Sequence, residues 1–277
     1  MRENGNFVEE LMGIKGEAIG IPYNSERDRF NMPHCAHTSI REELNANRIV
    51  VDGKNIAIAT QYPLPDQVEA QLQMLLDNCT PVLIVLASTT DIRNNLLPEY
   101  FSGSHTYGDI QTNSSFVDYI DLGKEVEAKV FKLNICKYAE SLDIPVLHVY
   151  NWPDHRTVST ETTSKLITLI ESNIADKRAL LELTRHPAIA DHEKMLPVIH
   201  CKAGVGRTGQ TLAALVMNRN PELTLESITK DLRASRNDRM IQTPYQMETL
   251  VKLANMRSEV HQPPPPSRGW WSLFRKG

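Results

Sequence analysis

Residues 198–209 read VIHCKAGVGRTG: an apolar run, a glycine-rich loop and the start of an apolar helical pattern. This order of elements forms an anion-binding site, because glycines let successive backbone N–H groups point inward and the helix adds its positive N-terminal end. Arg207 adds a planar fork of N–H donors that matches two oxygens of a phosphate group. The stretch therefore predicts a strand, a loop that binds phosphate without a metal ion, and a helix.

Cys201 follows the predicted strand directly and begins the loop. A thiolate beside a guanidinium and a helix N-terminus is favoured over the thiol, so we expect a lowered pKa and a nucleophile that faces the phosphorus atom. Thr208 is expected to donate its hydroxyl to the sulfur, which eases departure of the thiolate when a phosphocysteine is hydrolysed. Taken alone, a cysteine at a strand end is more often a small buried residue. The fixed offsets of His200, Cys201, Arg207 and Thr208 favour the catalytic interpretation.

A second phosphate-binding motif overlaps the same residues. The stretch GVGRTGQT, residues 204–211, matches a Walker A loop except that Gln210 stands where a lysine is required. The missing lysine removes the cation that reaches the β- and γ-phosphates, and a nucleotide site leaves Cys201 without a role. Nucleotide binding stays open as an alternative.

Apolar patterns outside the loop predict the fold class. Continuous apolar runs at residues 81–87, 146–150 and 196–200 are typical of buried strands, and Asp52-Gly53 predicts a turn between two further strands. Apolar stripes at helical spacing predict helices near residues 68–76, 166–174, 212–216, 223–232 and 245–256. This succession predicts a single α+β domain, with a central mixed β-sheet flanked by helices.

Composition and charge limit the functions that the chain can have. The 277 residues are 41% hydrophobic and 23% charged, which is typical of a globular chain with a large core. A formal net charge of -4 gives no general attraction to nucleic acid, so we expect no nucleic-acid partner. The four cysteines form no C-x-x-C pair, which predicts free thiols in a reducing compartment. We expect neither a transmembrane segment nor classical export, because no long apolar run or signal-peptide pattern is present.

The two ends differ from the rest of the chain. We expect residues 1–22 to form an N-terminal arm or frayed helix and residues 23–258 to form the catalytic domain. The C-terminal tail, residues 259–277, contains four consecutive prolines and then Trp270 and Trp271 among basic residues. Its P-x-x-P-x-R pattern is typical of SH3 ligands, and its aromatic and basic mixture favours a membrane surface. The alternative, in which the aromatic residues fold back onto the domain, stays open.

The loop from His200 to Thr208 resembles the H-C-x-x-G-x-x-R-[ST] signature of the cysteine-dependent protein tyrosine phosphatases. Over roughly residues 22–257, the chain is similar to the catalytic domains of the bacterial type III secreted effector phosphatases, the YopH and SptP group. The stretches that carry this similarity are LNANRIVVDGK, ATQYPLPDQVEAQLQML, YFSGSHTYGDI, VYNWPDH and VIHCKAGVGRTGQ. The resemblance implies a tyrosine-phosphatase-like fold and metal-independent hydrolysis of phosphotyrosine through a phosphocysteine intermediate, with no cofactor.

The resemblance also implies roles for individual residues. The phosphate is bound by the loop residues Lys202, Ala203, Gly204, Val205 and Gly206. Asp154, in Trp152-Pro153-Asp154, matches the general acid on the family's mobile WPD loop. It protonates the leaving phenolate and later draws a proton from the water that attacks the phosphocysteine. Trp152 and His200 are supporting residues. Alone, an aspartate after proline is more often an ordinary turn residue.

Three further positions match the family outside these loops. Residues 240–246 resemble the glutamine loop, in which Gln242 positions the hydrolytic water and Gln246 supports it. Asp91 falls where an acidic residue, usually a glutamate, pairs with the arginine of the phosphate loop. Phe30 falls where the effectors stack an aromatic ring on phosphotyrosine, in a slot too deep for phosphoserine and phosphothreonine. The ordinary interpretations, solvated glutamines and a core phenylalanine, stay open.

The resemblance finally implies a setting and a set of partners. We expect delivery by a bacterial type III system into the host cytoplasm, with phosphotyrosine proteins of the host cell as substrates. The effectors carry an acidic residue shortly after the stacking aromatic, whereas this chain has Asn31 and Met32 there. Two alternatives are a module that captures phosphotyrosine without turnover and a dual-specificity phosphatase with a shallow pocket. The combination of Cys201, Arg207 and Asp154 argues against the first.

Overall fold

The computed structural model describes residues 4–124 and 126–261. Its helices, in chain order, are α1 Asn4–Gly13, α2 Val68–Asp77, α3 Thr89–Asn94, α4 Thr160–Leu183, α5 Gly206–Arg219, α6 Leu225–Ser235 and α7 Pro244–His261. Its strands are β1 Gly20–Ile21, β2 His34–Cys35, β3 Ala46–Val51, β4 Lys54–Thr60, β5 Leu83–Val85, β6 Gly103–Tyr107, β7 Ile110–Gly123, β8 Val126–Lys137, β9 Glu140–Val149 and β10 Val198–His200. No helix among these residues is long and apolar enough to cross a membrane.

The centre of the fold is an eight-stranded sheet in the order β3-β4-β10-β5-β9-β8-β7-β6, and β1 and β2 pair separately. β10 lies between β4 and β5 and is parallel to both, with Val198 opposite Ile58 and Leu83. β5 is also parallel to β9, whereas the remaining pairs of the sheet are antiparallel. The predicted α+β fold, with a central mixed sheet flanked by helices, is confirmed.

The central strands are buried on both faces, as their continuous apolar sequences predict. Ile84 packs into a cluster formed with α1, α4, α5, α6 and α7. Its neighbours Leu83 and Val85 point the other way, into a cluster formed with α2 and α3. Because both faces are covered, the carboxyl ends of the parallel strands β4, β5, β9 and β10 open at one edge of the sheet. The loops that follow them gather there.

Sequence patterns do not indicate β6, β7 and β8. β7 runs for 14 residues, but its middle is exposed and mixes polar residues with the apolar Phe116, Val117 and Tyr119. Register shifts between Phe116 and Asp118 and between Asp121 and Gly123 interrupt its pairing with β8. A strand with an open face and two irregularities lacks the strict apolar alternation that identifies strands from sequence.

Both predicted end segments differ partly from the structure. The predicted N-terminal arm or frayed helix contains α1, whose Val8 and Leu11 are 5% and 0% exposed and belong to the core. At the other end, α7 continues to His261, so residues 259–261 of the predicted tail are helical. Residues 262–277, with the SH3-ligand pattern and the two adjacent tryptophans, lie outside the described residues.

Candidate active site

The nucleophile loop, residues 201–206, leaves β10 at this sheet edge and leads into α5. Gly204 has a φ of +71°, and a Cβ atom there would lie 2.1 Å from the carbonyl oxygen of Thr60. Only glycine fits this position without moving the backbone. The Gly204 N–H donates to Cys201 Sγ at 3.3 Å. The loop therefore curls back over the sulfur, as the glycine pattern predicts.

Cys201 is 2% exposed at the bottom of this loop. Burial by itself raises the pKa of the thiol. The Arg207 charge, the Thr208 hydroxyl and the backbone N–H groups of Val205 and Thr208 act in the opposite direction and hold the pKa of Cys201 below its ordinary value. The Thr208 hydroxyl is buried and makes no hydrogen bond of ordinary geometry to a described residue.

Arg207 extends from the first turn of α5 and is 1% exposed. Its Nη1 donates to Asp91 Oδ2 at 2.7 Å and to the Trp152 carbonyl at 2.8 Å, and its Nη2 donates to Asp154 Oδ1 at 2.9 Å. Burial lowers the pKa of Arg207, but Cys201 and the two carboxylates outweigh it and raise the pKa. The Nε–H is buried and has no partner among the described residues.

The side chain of Asp91 is fixed by its own helix. The Ser88 N–H donates to Asp91 Oδ2 at 2.9 Å, and the Asp91 N–H donates to Ser88 Oγ at 3.1 Å, which caps the start of α3. The same carboxylate oxygen accepts from Arg207. The aspartate thus reaches the arginine because the loop after β5 brings the α3 N-terminus to the site.

Asp154 lies in the acid loop, residues 152–156, which follows β9. Besides Arg207, it pairs with Lys202 Nζ at 3.2 Å and with His155 Nε2 at 3.7 Å. Burial raises its pKa, but the Arg207, Lys202 and His155 charges outweigh burial and lower the pKa of Asp154. Trp152 anchors the loop: it is 1% exposed, and its indole N–H donates to the Arg156 carbonyl at 2.9 Å. The acid loop is therefore packed against the nucleophile loop, with its carboxylate ionised.

His200 supports the nucleophile loop from behind and is fully buried. Its Nδ1 lies 3.0 Å from the Cys201 carbonyl and its Nε2 lies 2.7 Å from the Tyr100 hydroxyl. A carbonyl only accepts, so Nδ1 carries the proton and the Tyr100 hydroxyl donates to Nε2. Burial lowers the pKa of His200 to about 4, which keeps the ring neutral at pH 7. Its role as a supporting residue agrees with these contacts.

Arg236, just after α6, was not indicated by any sequence pattern. It is 1% exposed, and burial lowers its pKa to about 10. Its Nε donates to the Gly204 carbonyl at 2.7 Å and its Nη2 to the Ala203 carbonyl at 3.2 Å. Its other donors contact Asn45 and Asn47. An arginine in a polar stretch looks like a surface residue in a sequence, so only the tertiary fold identifies this contact.

The glutamine loop, residues 240–246, lies against the nucleophile loop. Gln246 is fully buried, and its Oε1 accepts from the N–H groups of Gln242 and Thr243 at 3.0 and 3.1 Å. Gln242 is half-buried, and its Oε1 lies 3.1 Å from where a Cβ atom on Gly206 would be. The structure therefore brings both predicted glutamines to the site. Gln246 holds the backbone of the glutamine loop, and Gln242 lies beside the nucleophile loop. Their roles toward the hydrolytic water stay predictions.

Phe30 is half-buried at the edge of the same site, with Lys202 Nζ 5.8 Å from its ring centroid. Asp28, the acidic residue before it, is 2% exposed and accepts from the Asn24 N–H and from the side chains of Arg27 and Asn45. These bonds hold the Phe30 segment in place, so Asp28 is not available to a substrate backbone. The stacking role of Phe30 stays a prediction.

The family model for protein-tyrosine phosphatase matches residues 22–255. The chain belongs to the protein-tyrosine phosphatase family. Within it, the chain is 42% identical to tyrosine-protein phosphatase YopH of Yersinia enterocolitica over 225 residues, which are 79% of this chain and 48% of that protein. It is 37% identical to the secreted effector protein SptP of Salmonella paratyphi A over 216 residues, 77% of this chain and 38% of that protein. The predicted likeness to these effectors is confirmed.

The chain spans about half or less of the length of these relatives. Among solved structures, it resembles one titled "Structural basis of PTPN18 fingerprint on distinct HER2 tyrosine phosphorylation sites", with a TM-score of 0.66 and 18% identity. The likeness covers 92% of this chain and 94% of that one. At this level of identity the match shows a shared fold.

Proposed function

We propose that the chain hydrolyses phosphotyrosine in proteins through a phosphocysteine intermediate, without a metal ion. The observation that carries the proposal is the buried Cys201 thiol of lowered pKa, enclosed by backbone N–H groups and by Arg207. The buried Arg207 Nε–H supports it, because it is a donor without a partner among the described residues. A buried donor without a partner is costly, and a phosphate oxygen would satisfy it.

In the first step, Cys201 Sγ attacks the phosphorus atom and the bond from phosphorus to the tyrosine oxygen breaks. The departing phenolate takes a proton from Asp154. Asp154 is ionised beside Arg207 in the structure, so it must first gain this proton. A phosphate dianion that takes the donors of Arg207 removes a stabilising partner and adds negative charge, and both effects raise the pKa of Asp154. Substrate binding thus prepares its own acid.

In the second step, water attacks the phosphocysteine and the bond from phosphorus to sulfur breaks. Asp154, now deprotonated, accepts a proton from the water, and Cys201 leaves as a thiolate stabilised by Arg207 and Thr208. Gln242 lies beside Gly206 of the nucleophile loop and is suited to orient this water. The two steps return the enzyme to its starting state.

The substrate setting follows from the relatives and from Phe30. A half-buried aromatic ring at the edge of the site is suited to stack on phosphotyrosine, which selects it over the shorter phosphoserine and phosphothreonine. One relative is named a secreted effector protein. By this likeness, the chain acts in the host cytoplasm on phosphotyrosine proteins after delivery by a bacterial type III system.

The decisive experiment measures release of para-nitrophenol from para-nitrophenyl phosphate in the presence of a chelator. We expect turnover by the wild type and none by Cys201→Ser, whereas phosphate binding persists because the loop and Arg207 remain. Residual activity above about a hundredth of wild type in Cys201→Ser contradicts the covalent mechanism. Binding without turnover by the wild type favours the capture module, and equal activity on phosphothreonine peptides favours a dual-specificity enzyme.

The C-terminal tail has a separate proposed role, which rests on sequence alone. Its P-x-x-P-x-R pattern and aromatic, basic end are suited to an SH3 domain or an anionic membrane surface. Deleting residues 262–277 should leave para-nitrophenyl phosphate turnover within about twofold and reduce binding to SH3 domains or to anionic vesicles. No binding by the intact protein supports the fold-back alternative.

A further inference from the structure

Arg233, on α6, is a buried cation that contacts both the N-terminal helix and the glutamine loop. It is 1% exposed, and burial lowers its pKa. Its Nη1 donates to the carbonyls of Leu11, Met12 and Ile14 at 3.1, 3.0 and 2.6 Å. On the other side, its Nε donates to the Met240 carbonyl at 3.2 Å. One side chain therefore joins the end of α1 to the first residue of the glutamine loop.

The end of α1 is suited to hold this guanidinium. The last carbonyls of a helix have no partners within the helix and carry its negative end, so they favour a cation. α1 is fixed in place by Leu11, which is fully buried in the core. Beyond the helix, a Cβ atom on Gly16 would lie 2.1 Å from the Arg233 carbonyl carbon, so the chain passes directly against α6. α1 and Arg233 thus form one packed unit.

From Met240, the contact continues into the site within two residues. Ile241 has a φ of +63°, which is unfavourable for a β-branched residue and needs support from its surroundings. Its N–H donates to the Val205 carbonyl in the nucleophile loop at 3.1 Å. Gln242 follows, beside Gly206. The bonds at Met240 and Ile241 fix the backbone from which the Gln242 side chain extends.

We propose that Arg233, seated on the carbonyls of α1, is a positioning residue for Gln242, so that α1 takes part in the hydrolysis of the phosphocysteine. The proposal rests on the function proposed above. The family model matches residues 22–255, and α1 precedes them. The contribution of α1 therefore comes from outside the matched residues. The first chemical step depends on Cys201 and Asp154, whereas the second also needs an ordered water. Disturbing Arg233 should therefore affect the second step more than the first.

The test is a competition between water and glycerol for the phosphocysteine. A glycerol hydroxyl oxygen attacks phosphorus, the bond from phosphorus to Cys201 Sγ breaks, and the hydroxyl proton passes to Asp154. The ratio of para-nitrophenol to inorganic phosphate reports the share of transfer to glycerol, and it is independent of the fraction of folded enzyme. In Arg233→Gln, we expect the glycerol share relative to water to rise about threefold or more. Arg233→Lys, which keeps the charge and one donor group, should lie between Arg233→Gln and the wild type.

Two further variants separate positioning from general destabilisation. Leu11→Ala loosens α1 without changing Arg233 and should also raise the glycerol share. This variant tests the inference even if Arg233→Gln fails to fold. Leu72→Ala, in the core cluster on the other face of the sheet, should lower the melting temperature and leave the share unchanged. A wild-type share in both Leu11→Ala and the Arg233 variants overturns the inference. Acid-quenched wild type without a phosphorylated cysteine instead overturns the proposed function.

Discussion

The front and the back of the nucleophile loop are held by different kinds of contact. At the front, Arg207 meets the carboxylates of Asp91 and Asp154, and Asp154 also pairs with Lys202. The side chains of Asp154 and Lys202 are 24% and 21% exposed, so these ion pairs border solvent. At the back, Arg236 is buried and donates to carbonyls of the loop itself.

This difference separates what stays fixed from what changes during the reaction. The carbonyls held by Arg236 and His200 are turned away from the sulfur, which leaves the neighbouring N–H groups to face it. A phosphate does not compete for these contacts, because Arg236 and His200 are buried behind the loop. At the front, a phosphate dianion competes directly with the carboxylates for Arg207. Substitutions at the front should change kcat and its dependence on pH. Substitutions at the back should first lower the free energy of unfolding.

The largest expected effect is at the front, in Asp154→Asn. The amide cannot donate the catalytic proton, so kcat should fall by about 10² to 10⁴. The alkaline limb of the pH profile of kcat should flatten, because it reports loss of that proton in the enzyme–substrate complex, where the bound phosphate raises the pKa of Asp154. The amide oxygen can still accept from Arg207, so the melting temperature should stay close to that of the wild type. Steady-state rates from pH 5 to 8 and a thermal melt test both parts.

Asp143→Asn is the matched control for this substitution, since Asp143 pairs with Lys132 on the sheet surface at 3.1 Å and is 49% exposed. It should leave kcat unchanged. A pH profile of Asp154→Asn that keeps both limbs would assign the acid to another residue.

The next effect is at the back, in Arg236→Met. Removing the guanidinium leaves the Ala203 and Gly204 carbonyls and two asparagine oxygens without their donor. The free energy of unfolding should fall by about 4 kcal/mol or more, because each of these four buried groups without a partner costs about 1 to 3 kcal/mol. Arg41→Met removes an exposed arginine that pairs with Glu43 and Asp77 and should cost less than about 1 kcal/mol. Equal losses in urea unfolding for the two variants would contradict the distinction between back and surface.

A third substitution tests the shape of the loop, in Gly204→Ala. The new methyl group meets the Thr60 carbonyl oxygen at 2.1 Å, in a residue with φ of +71°. Gly53 is the matched control: its φ is +68°, but a Cβ atom there has no neighbour within 4 Å. Gly53→Ala should cost about 1 kcal/mol for the backbone alone, and Gly204→Ala should cost at least about 1 kcal/mol more and lower kcat. Equal losses would mean that the loop moves away from Thr60 at little cost.

The front of the site could be predicted from sequence, whereas at the back only His200 could. Cys201, Arg207 and Thr208 occupy fixed positions on one short loop, because the backbone of that loop sets their distances from the phosphate. Asp154 and the two glutamines carry local patterns of their own. The ionisation state of Asp154 could not be predicted, since its lowered pKa depends on Lys202 and Arg207 approaching from another strand end.

The other residues behind the loop come from distant elements and have no local signature. Arg236 contacts the loop, and Tyr100 contacts His200, only because the sheet order places their segments beside it. The same reason applies to α1, whose short apolar stripe predicts no partner by itself, and to β7, whose irregular pairing hides its alternation. Strand patterns succeeded where burial on both faces gave continuous apolar runs, as in β5 and β10.

The smallest expected effect is a fall in the free energy of unfolding in mild acid. It should arise from His200 at the back of the loop and not from the carboxylates at the front. Burial lowers the pKa of His200 to about 4, against 6.5 for the ordinary group. The unfolded chain therefore binds a proton below pH 6.5 that the folded chain refuses until about pH 4, so stability is complete above 6.5 and is lost as the pH falls toward 4. Between pH 8 and 6 this loss amounts to about 1 kcal/mol for one histidine. The lowered pKa of Asp154 affects stability only below its ordinary value of 3.8, outside this range.

In His200→Asn, whose amide can still donate to the Cys201 carbonyl, urea unfolding at pH 8 and 6 should show a loss smaller by about 1 kcal/mol than in the wild type. His148→Asn should reduce the loss similarly, because burial also lowers the pKa of His148 to about 4, but without changing kcat, since His148 contacts the Ala87 carbonyl and not the loop. An unchanged pH dependence in His200→Asn would show that burial does not lower the pKa of His200 in the folded protein.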